Sequence, residues 1–349
     1  MNDHSCPRAY FKSLSRFFAG ILAFFLLWTA VAACSNSEPS DQETPLIYTS
    51  FFPLYNFANY LTDSEVEIRN LLPLGGSAHD WEPDPRTVAE LEDADILVLN
   101  GLHLEPWADK LIPQLEDAGV VIVELGERVL SEHADESLHA HDHDHGHEQP
   151  GIQAALELAE ALHAHDHHDH EHTIDPHIWL NPMMAAEQVE ILADELSTLL
   201  PEYEEHYLTR SADFRSRAES LDAELQTGLA EQERPVFIVT HEAFSYLASS
   251  YDLMQIGVSG MMSEQEPNPQ AMALIIDYMR SYDIPTIYYD AYGSDKWAGT
   301  ACRIAAKDGS SGPVKSVMTA SVLRVTWAPA WPCSSLNAVV SSVALAWVA

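Results

Sequence analysis

Strand and helix alternate in two separate blocks along this chain, with one long charged helical pattern between them. In the first block, residues 46–50 (LIYTS), 66–72, 95–100 (DILVLN) and 120–124 are apolar runs of strand length. Helical patterns stand between them at 51–61 (FFPLYNFANYL), at 87–93 and within 101–119 (GLHLEPWADKLIPQLEDAG). In the second block, strands at 236–240, near 254–258 and at 286–289 alternate with helices at 242–249 and 270–281. Short apolar strands alternating with helices call for a parallel sheet covered on both faces, so each block predicts its own α/β lobe. A helix at 182–200 is followed by a longer one at 202–233, whose apolar members are Tyr203, Tyr207, Phe214, Leu221 and Leu225 before Pro235 stops it. That polarity suits a rod between lobes better than a core helix. The expected fold class is therefore α/β, with two lobes, each a mostly parallel sheet flanked by helices, joined by one long rigid helix. The boundaries read 46–200, 201–233 and 234–310. Motion between the lobes is expected to be small, because a single long helix resists bending.

The first lobe's pattern breaks at 131–172. Apart from a short helix candidate at 151–162, this stretch is polar and rich in His and Asp, and it cannot bury enough apolar area to fix one structure. It reads as a mobile insert. Of the 18 histidines, 12 fall in 133–172, a metal-gathering composition. His139, His141, His143, His145, His147, His163, His165, His167, His168, His170 and His172 are read as an auxiliary loop that binds metal weakly and in many combinations.

The two ends read differently from the middle. Arg8, Lys12 and Arg16 precede an apolar run at 17–33 that closes on Val31-Ala32-Ala33-Cys34. This is the pattern of a secretory signal at 1–33. Cys34 sits where a bacterial lipobox places its cysteine, so it is expected to be lipidated, with 34–45 as a tether. A membrane anchor is the rival, but a 17-residue run is short for a bilayer. At the other end, no Asp or Glu occurs in 309–349, in a chain with 54 of them. Trp327, Trp331 and Trp347 lie there without a clear period. The segment 311–349 reads as a changed reading frame, with a genuine apolar tail as the alternative. Cys6, Cys302 and Cys333 offer no disulfide framework. A formal net charge of −37 excludes a basic nucleic-acid footprint.

Three histidines stand apart in ordered contexts: His79 in GGSAHDWEP, His177 in DPHIWLNP and His241 in VFIVTHEAF. His79 follows a strand, His177 opens an ordered segment, and His241 ends one. Ligands of open α/β sheets bind beyond the carboxyl ends of the strands. Two such edges facing each other would let His79 and His177 from the first lobe meet His241 from the second. Three imidazoles with a fourth ligand, carboxylate or water, suit zinc, and they also suit Co, Ni or Fe. Alone, each histidine is as readily a hydrogen-bonded loop residue, as His103 and His206 look to be. Gly75 and Gly76 are read as the turn that aims His79, and Trp81 and Trp179 as walls. No HExxH, GxSxG or Walker A sequence is present, so hydrolysis is disfavoured, and Glu242 beside His241 does not by itself make a general base. No enzyme activity is expected.

Taken together, FFPLYNFANYL, PLGGSAHDWEPDP, DILVLNGLHLEPW, the His/Asp-rich insert, DPHIWLNP, VFIVTHEAFSYLASSYDL and EQEPNP resemble the zinc-binding cluster A-I (cluster 9) solute-binding proteins of metal ABC importers, the ZnuA-like and AdcA-like proteins. The likeness covers roughly residues 46–297. It implies metal held in the cleft by His79, His177 and His241. His241 favours zinc, because manganese-type relatives usually carry a glutamate there. It also implies an ABC permease and its ATPase as partners, Zn²⁺ as transported ligand, a monomer, and an exported, lipid-anchored location. A metal-dependent adhesin or metal-buffering lipoprotein is the alternative. Two departures stand out. Ala78 replaces the proline usual before the first ligand. GPVKSVMTASVLRV stands where many relatives carry a fourth, carboxylate ligand, and Asp290 is expected to be structural.

Overall fold

The computed structural model describes residues 44–73, 76–133, 150–163, 174–230, 235–259, 269–284, 286–290, 301 and 315–317. The leader with Cys34, both histidine-rich arms and the tail beyond Val317 lie outside the described residues. Among the described residues, no helix is long and apolar enough to cross a membrane.

Two all-parallel sheets form. The first comprises β1 (Leu46–Thr49), β2 (Glu67–Asn70), β3 (Ile96–Leu99) and β4 (Val121–Glu124), in the order β2-β1-β3-β4. The second comprises β5 (Val236–His241), β6 (Met254–Ser259), β7 (Ile287–Asp290) and β8 (Lys315–Val317), in the order β6-β5-β7-β8. Strand β8 falls inside the anomalous tail and pairs in parallel with β7.

Side chains on a strand point alternately to opposite faces, and both sheets bury both faces. On the inner faces, Ile47, Ile96 and Val98 of the first sheet and Phe237 and Val239 of the second belong to one continuous apolar cluster. Helices α1 (Phe52–Leu61), α4 (Leu125–Glu132), α6 (Pro182–Leu199) and α7 (Glu204–Leu229) complete it. On the outer face of the first sheet, Tyr48, Leu97 and Leu99 meet Leu91 of α2 (Pro85–Leu91) and Ala108 and Leu115 of α3 (Ala108–Ala118). Local signals fix these helices. Pro85 opens α2 behind Asp84, whose carboxylate accepts from the Thr87 backbone N–H at 2.8 Å. Gly119, at φ 100°, closes α3 in the left-handed conformation.

The long linking helix is shorter than its sequence pattern, and it is more than a rod. A 3₁₀ turn at Pro201–Tyr203 leads into α7, whose 26 residues span about 39 Å at 1.5 Å each. Tyr207, Ser211, Phe214, Ala218, Leu225 and Leu229 are buried, a stripe of helical period that packs α7 along α6 and into the shared cluster. Arg215 forks onto Glu190 of α6 across that seam.

Within the insert at 131–172, the helix candidate at 151–162 forms a helix. Residues Pro150–His163 form α5, and among the described residues its apolar face packs on the second lobe. Ile152, Ala155 and Leu158 are buried against Val236, Ile238, Ile256, Ile275 and Ile287, on the outer face of the second sheet beside α9 (Pro269–Tyr282). The Tyr278 hydroxyl donates to the Gly151 carbonyl at 3.0 Å. The helix itself is legible in the sequence, but its docking on the second sheet is not.

Candidate metal centre

His79, His177 and His241 reach the site from three different local structures. His79 lies in a turn after β2. Behind it, the Gly76 N–H donates to the Pro73 carbonyl at 3.0 Å. A side chain at Gly76 would press on Leu72, at 2.8 Å from its Cδ1, so this glycine supplies space; Gly75 lies outside the described residues. His177 stands just before the 3₁₀ turn Ile178–Leu180. His241 is the last residue of β5, paired with Ser259 at the carboxyl edge of the second sheet.

One ligand nitrogen from each of these three histidines lies within 4.8 Å of the others. Ring centroids are 5.2 Å apart for His79–His177 and His79–His241, and 4.8 Å for His177–His241. The Nε2 atoms of His79 and His177 are 3.2 Å apart. Nitrogens about 2.0–2.1 Å from a zinc ion stand about 3.3–3.4 Å apart in a tetrahedron, so this spacing matches one edge of such a site. His177 and His241 are buried, at 2% and 7% exposure, and His79 is half-buried. Three converging imidazoles, two of them buried, suit a borderline-soft divalent cation.

Asp175 orients the second histidine. Its Oδ1 accepts from the His177 backbone N–H at 3.0 Å, an Asx-type turn, and from the ring Nδ1 at 2.7 Å. With the proton on Nδ1, Nε2 is left to face the site, the carboxylate–histidine arrangement that fixes a ligand's tautomer. Burial pushes the Asp175 carboxyl up, but hydrogen bonds from His177 and Ser245 outweigh it and hold the group below its usual value. The Tyr246 hydroxyl, pushed up by burial and the Asp175 charge, stays protonated and donates to the Asp175 carbonyl at 2.9 Å. Asn181 caps α6 through its Oδ1 and donates through Nδ2 to Ser250 at 2.8 Å. Both contacts tie the DPHIWLN segment to α8 (Ser245–Ser250) of the second lobe.

Trp179 is buried with its ring 5.3 Å from His177 and 4.7 Å from Phe51, and Trp81 meets Trp107 edge-on at 5.8 Å. Behind the cleft, Gly101, Leu102 and His103 take φ of 73°, 56° and 62°, a left-handed turn that costs roughly 1–2 kcal/mol at each non-glycine residue. The buried Glu105 carboxylate holds its start, accepting from Ser50 Oγ at 2.5 Å and from the backbone N–H groups of Asn100 and Gly101 at 3.0 and 3.1 Å. Burial pushes this carboxyl up to about 7 against those hydrogen bonds.

Among the described residues, His103, His133 and His206 do not join the cluster. His103 is exposed near Asp109, His206 faces Asp63, and His133 bonds Glu187 of α6 at 2.7 Å. Glu242 lies over Gly257 of β6, where a Cβ would meet its side chain at 2.8 Å. Of the auxiliary set, only the backbone of His163 is described, as the last residue of α5. The supporting residues Asp175, Asn100, Glu105 and Tyr246 were not read from the sequence. The legible signals were an acid two residues before a histidine and a lone acid inside an apolar segment.

A family profile described as "ZnuA: Zinc-uptake complex component A periplasmic" matches residues 47–323. The chain belongs to the ZnuA family. It is 30% identical over 303 residues to the high-affinity zinc uptake system protein ZnuA of Bacillus subtilis (strain 168), covering 85% of this chain and 87% of that protein. It is 29% identical over 295 residues to the zinc-binding lipoprotein AdcA of Streptococcus pneumoniae R6, covering 84% of this chain. The chain spans 53% of that AdcA, about half its length. Among solved structures, a mutant laminin-binding adhesin (Lmb) of Streptococcus agalactiae superposes with a TM-score of 0.62 at 25% identity, covering 86% of this chain and 98% of that one. AdcAII of Streptococcus pneumoniae gives 0.59 at 27%, covering 78% and 87%. ZnuA-family proteins bind metal and are not catalysts, and the chain is not an enzyme.

Proposed function

We propose that the chain is an extracytoplasmic zinc-capture protein, holding Zn²⁺ between its lobes on His79, His177 and His241 and handing it to an ABC permease and its ATPase. The observation that supports this most is the convergence of three ring nitrogens from both lobes, in a chain whose ZnuA relative carries zinc uptake in its name. Eleven of the insert's twelve histidines, all but His133, act as auxiliary weak sites, and a lipid on Cys34 holds the protein at the outer face of a membrane. Water or a carboxylate completes the coordination. Imidazole ligates only when neutral, so zinc affinity falls as pH drops through about 6.5, and a titration series from pH 8 to 5.5 reads this directly.

A second reading has its own support. Laminin-binding adhesins are among the most similar folds, and one is described as a bifunctional protein with adhesin and metal transporting activity. This likeness favours metal-dependent adhesion more directly than any feature of the chain favours the permease handover. Two assays in a strain lacking the gene separate the roles. Capture for import requires that the intact gene restore zinc uptake and that a His79→Ala gene fail to do so. Adhesion requires zinc-dependent binding to immobilised laminin by the purified chain. Restored uptake without laminin binding leaves import alone, and laminin binding without restored uptake replaces the import reading.

A further inference from the structure

We propose that Asn100, set in place by the Glu105 carboxylate, is the positioning residue for the His177 ligand. The inference rests on the metal-site reading above. Asn100 directly follows β3 at the carboxyl edge of the first sheet and is fully buried. Every polar group it carries is engaged. Its backbone N–H donates to Glu105 Oε1 at 3.0 Å, and its carbonyl accepts from the Gly126 N–H at 2.8 Å. Its side-chain oxygen accepts from Gln188 of α6 at 3.2 Å. Its side-chain nitrogen donates to the Pro176 carbonyl at 2.9 Å and to the Gly101 carbonyl at 3.2 Å. Pro176 directly precedes His177. Proline has no N–H, so its carbonyl is the peptide group through which this position is gripped. Asp175 fixes the rotation of the imidazole, and Asn100 fixes the backbone from which it projects.

Glu105 makes this grip specific. Both of its oxygens accept from backbone N–H groups that start the left-handed turn, so a glutamine in its place must turn an NH₂ group toward one of those donors. The turn then loses its anchor, and Asn100 turns with it. Gly126 adds a geometric condition, because a Cβ there would stand 2.6 Å from the Asn100 carbonyl oxygen. The strand end, the turn and the α6 side chain thus converge on one amide.

Co²⁺ is the probe, since its visible absorption reports the geometry of its ligands, and zinc competition reports affinity. Asn100→Ala and Glu105→Gln are compared with wild type and with Leu115→Ala, a fully buried residue on the opposite face of the first sheet that serves as a control for general loosening. The expected result is a zinc dissociation constant raised by about 10–100-fold in Asn100→Ala and Glu105→Gln, the usual size for outer partners of a ligand. Their Co²⁺ spectra should change while that of Leu115→Ala does not. Should Asn100→Ala fail to fold, Gln188→Leu, which removes one of the amide's partners, carries the same expectation with a smaller shift. Wild-type affinity and spectrum in the folded variants would overturn the proposal, as would equal changes in Leu115→Ala. A wild-type protein that takes up neither Co²⁺ nor Zn²⁺ overturns the metal-site reading itself, and this inference with it.

Discussion

The two sheets share an inner core but are covered differently outside. The first sheet's outer face is closed by α2 and α3, which lie in sequence between the strands they cover. The second sheet's outer face is closed by α9 together with α5, and α5 comes from the insert of the first block, far from β5 in the chain. One lobe is therefore built from its own stretch of sequence, and the other borrows part of its cover. A segment that looks dispensable by composition carries a structural helix at its centre. The lobes are coupled through the inner cluster with α6 and α7.

The largest effect expected from this difference is at Ala155, fully buried on α5. Ala155→Asp places an unpaired charge in the second lobe's outer core and should cost roughly 3–5 kcal/mol. Hydrogen exchange should then quicken in β6 and α9 while β1–β4 stay protected. Equal loss of protection in both sheets would show that the covers are not independent. Deleting 133–172 should act in the same direction, so the insert's metal capacity is better tested by substitution than by deletion.

A second test concerns the carboxyl buried behind the first sheet. Glu105 is raised in the folded protein from 4.5 to about 7 by burial. A raised carboxyl makes the folded state hold a proton that the unfolded chain releases, so its contribution is full below about 4.5 and is lost as pH rises through about 7. The span corresponds to roughly 2–4 kcal/mol. The stability advantage of wild type over Glu105→Gln should therefore be larger at pH 5 than at pH 8 in thermal melts, and an advantage independent of pH would contradict the buried, proton-holding carboxyl.

Smaller again is Asn181, which caps α6 and reaches Ser250 in the second lobe. Asn181→Ala should cost about 1 kcal/mol by loss of the cap, read as a lowered urea midpoint. Exchange should quicken at the start of α6 before it does in the strands. The smallest effect on the tight site comes from the insert's arms. Replacing their eleven histidines by asparagine should lower the number of zinc ions bound per chain and leave the highest-affinity site unchanged. Loss of that site would make the arms the primary receptor.

Much of this was legible in the sequence because period and length carry it. The alternation in 46–124 and 236–289 specified two parallel sheets, and the DILVLN and VFIVTH runs specified strands buried on both faces. The three ligand candidates were visible as histidines at the ends of ordered segments. Other features were hidden for physical reasons. The docking of α5 depends on a partner surface more than seventy residues away in the chain, which no local pattern reports. Tyr207, Phe214 and Leu225 of α7 were legible as apolar, but the charges around them made the helix read as a rod, although one apolar residue per turn suffices against α6. The role of Asn100 depends on three hydrogen bonds to distant segments, at Gly126, Pro176 and Gln188, and an asparagine after a strand looks like any turn residue.

Zinc titration calorimetry on wild type and on His79→Ala, His177→Ala and His241→Ala, in a background with the arm histidines replaced by asparagine, tests the central claim most directly. The account predicts one tight site per wild-type chain and at least a tenfold loss, about 1.4 kcal/mol, in each variant, with the fold intact by circular dichroism. Unchanged tight binding in all three folded variants would contradict it.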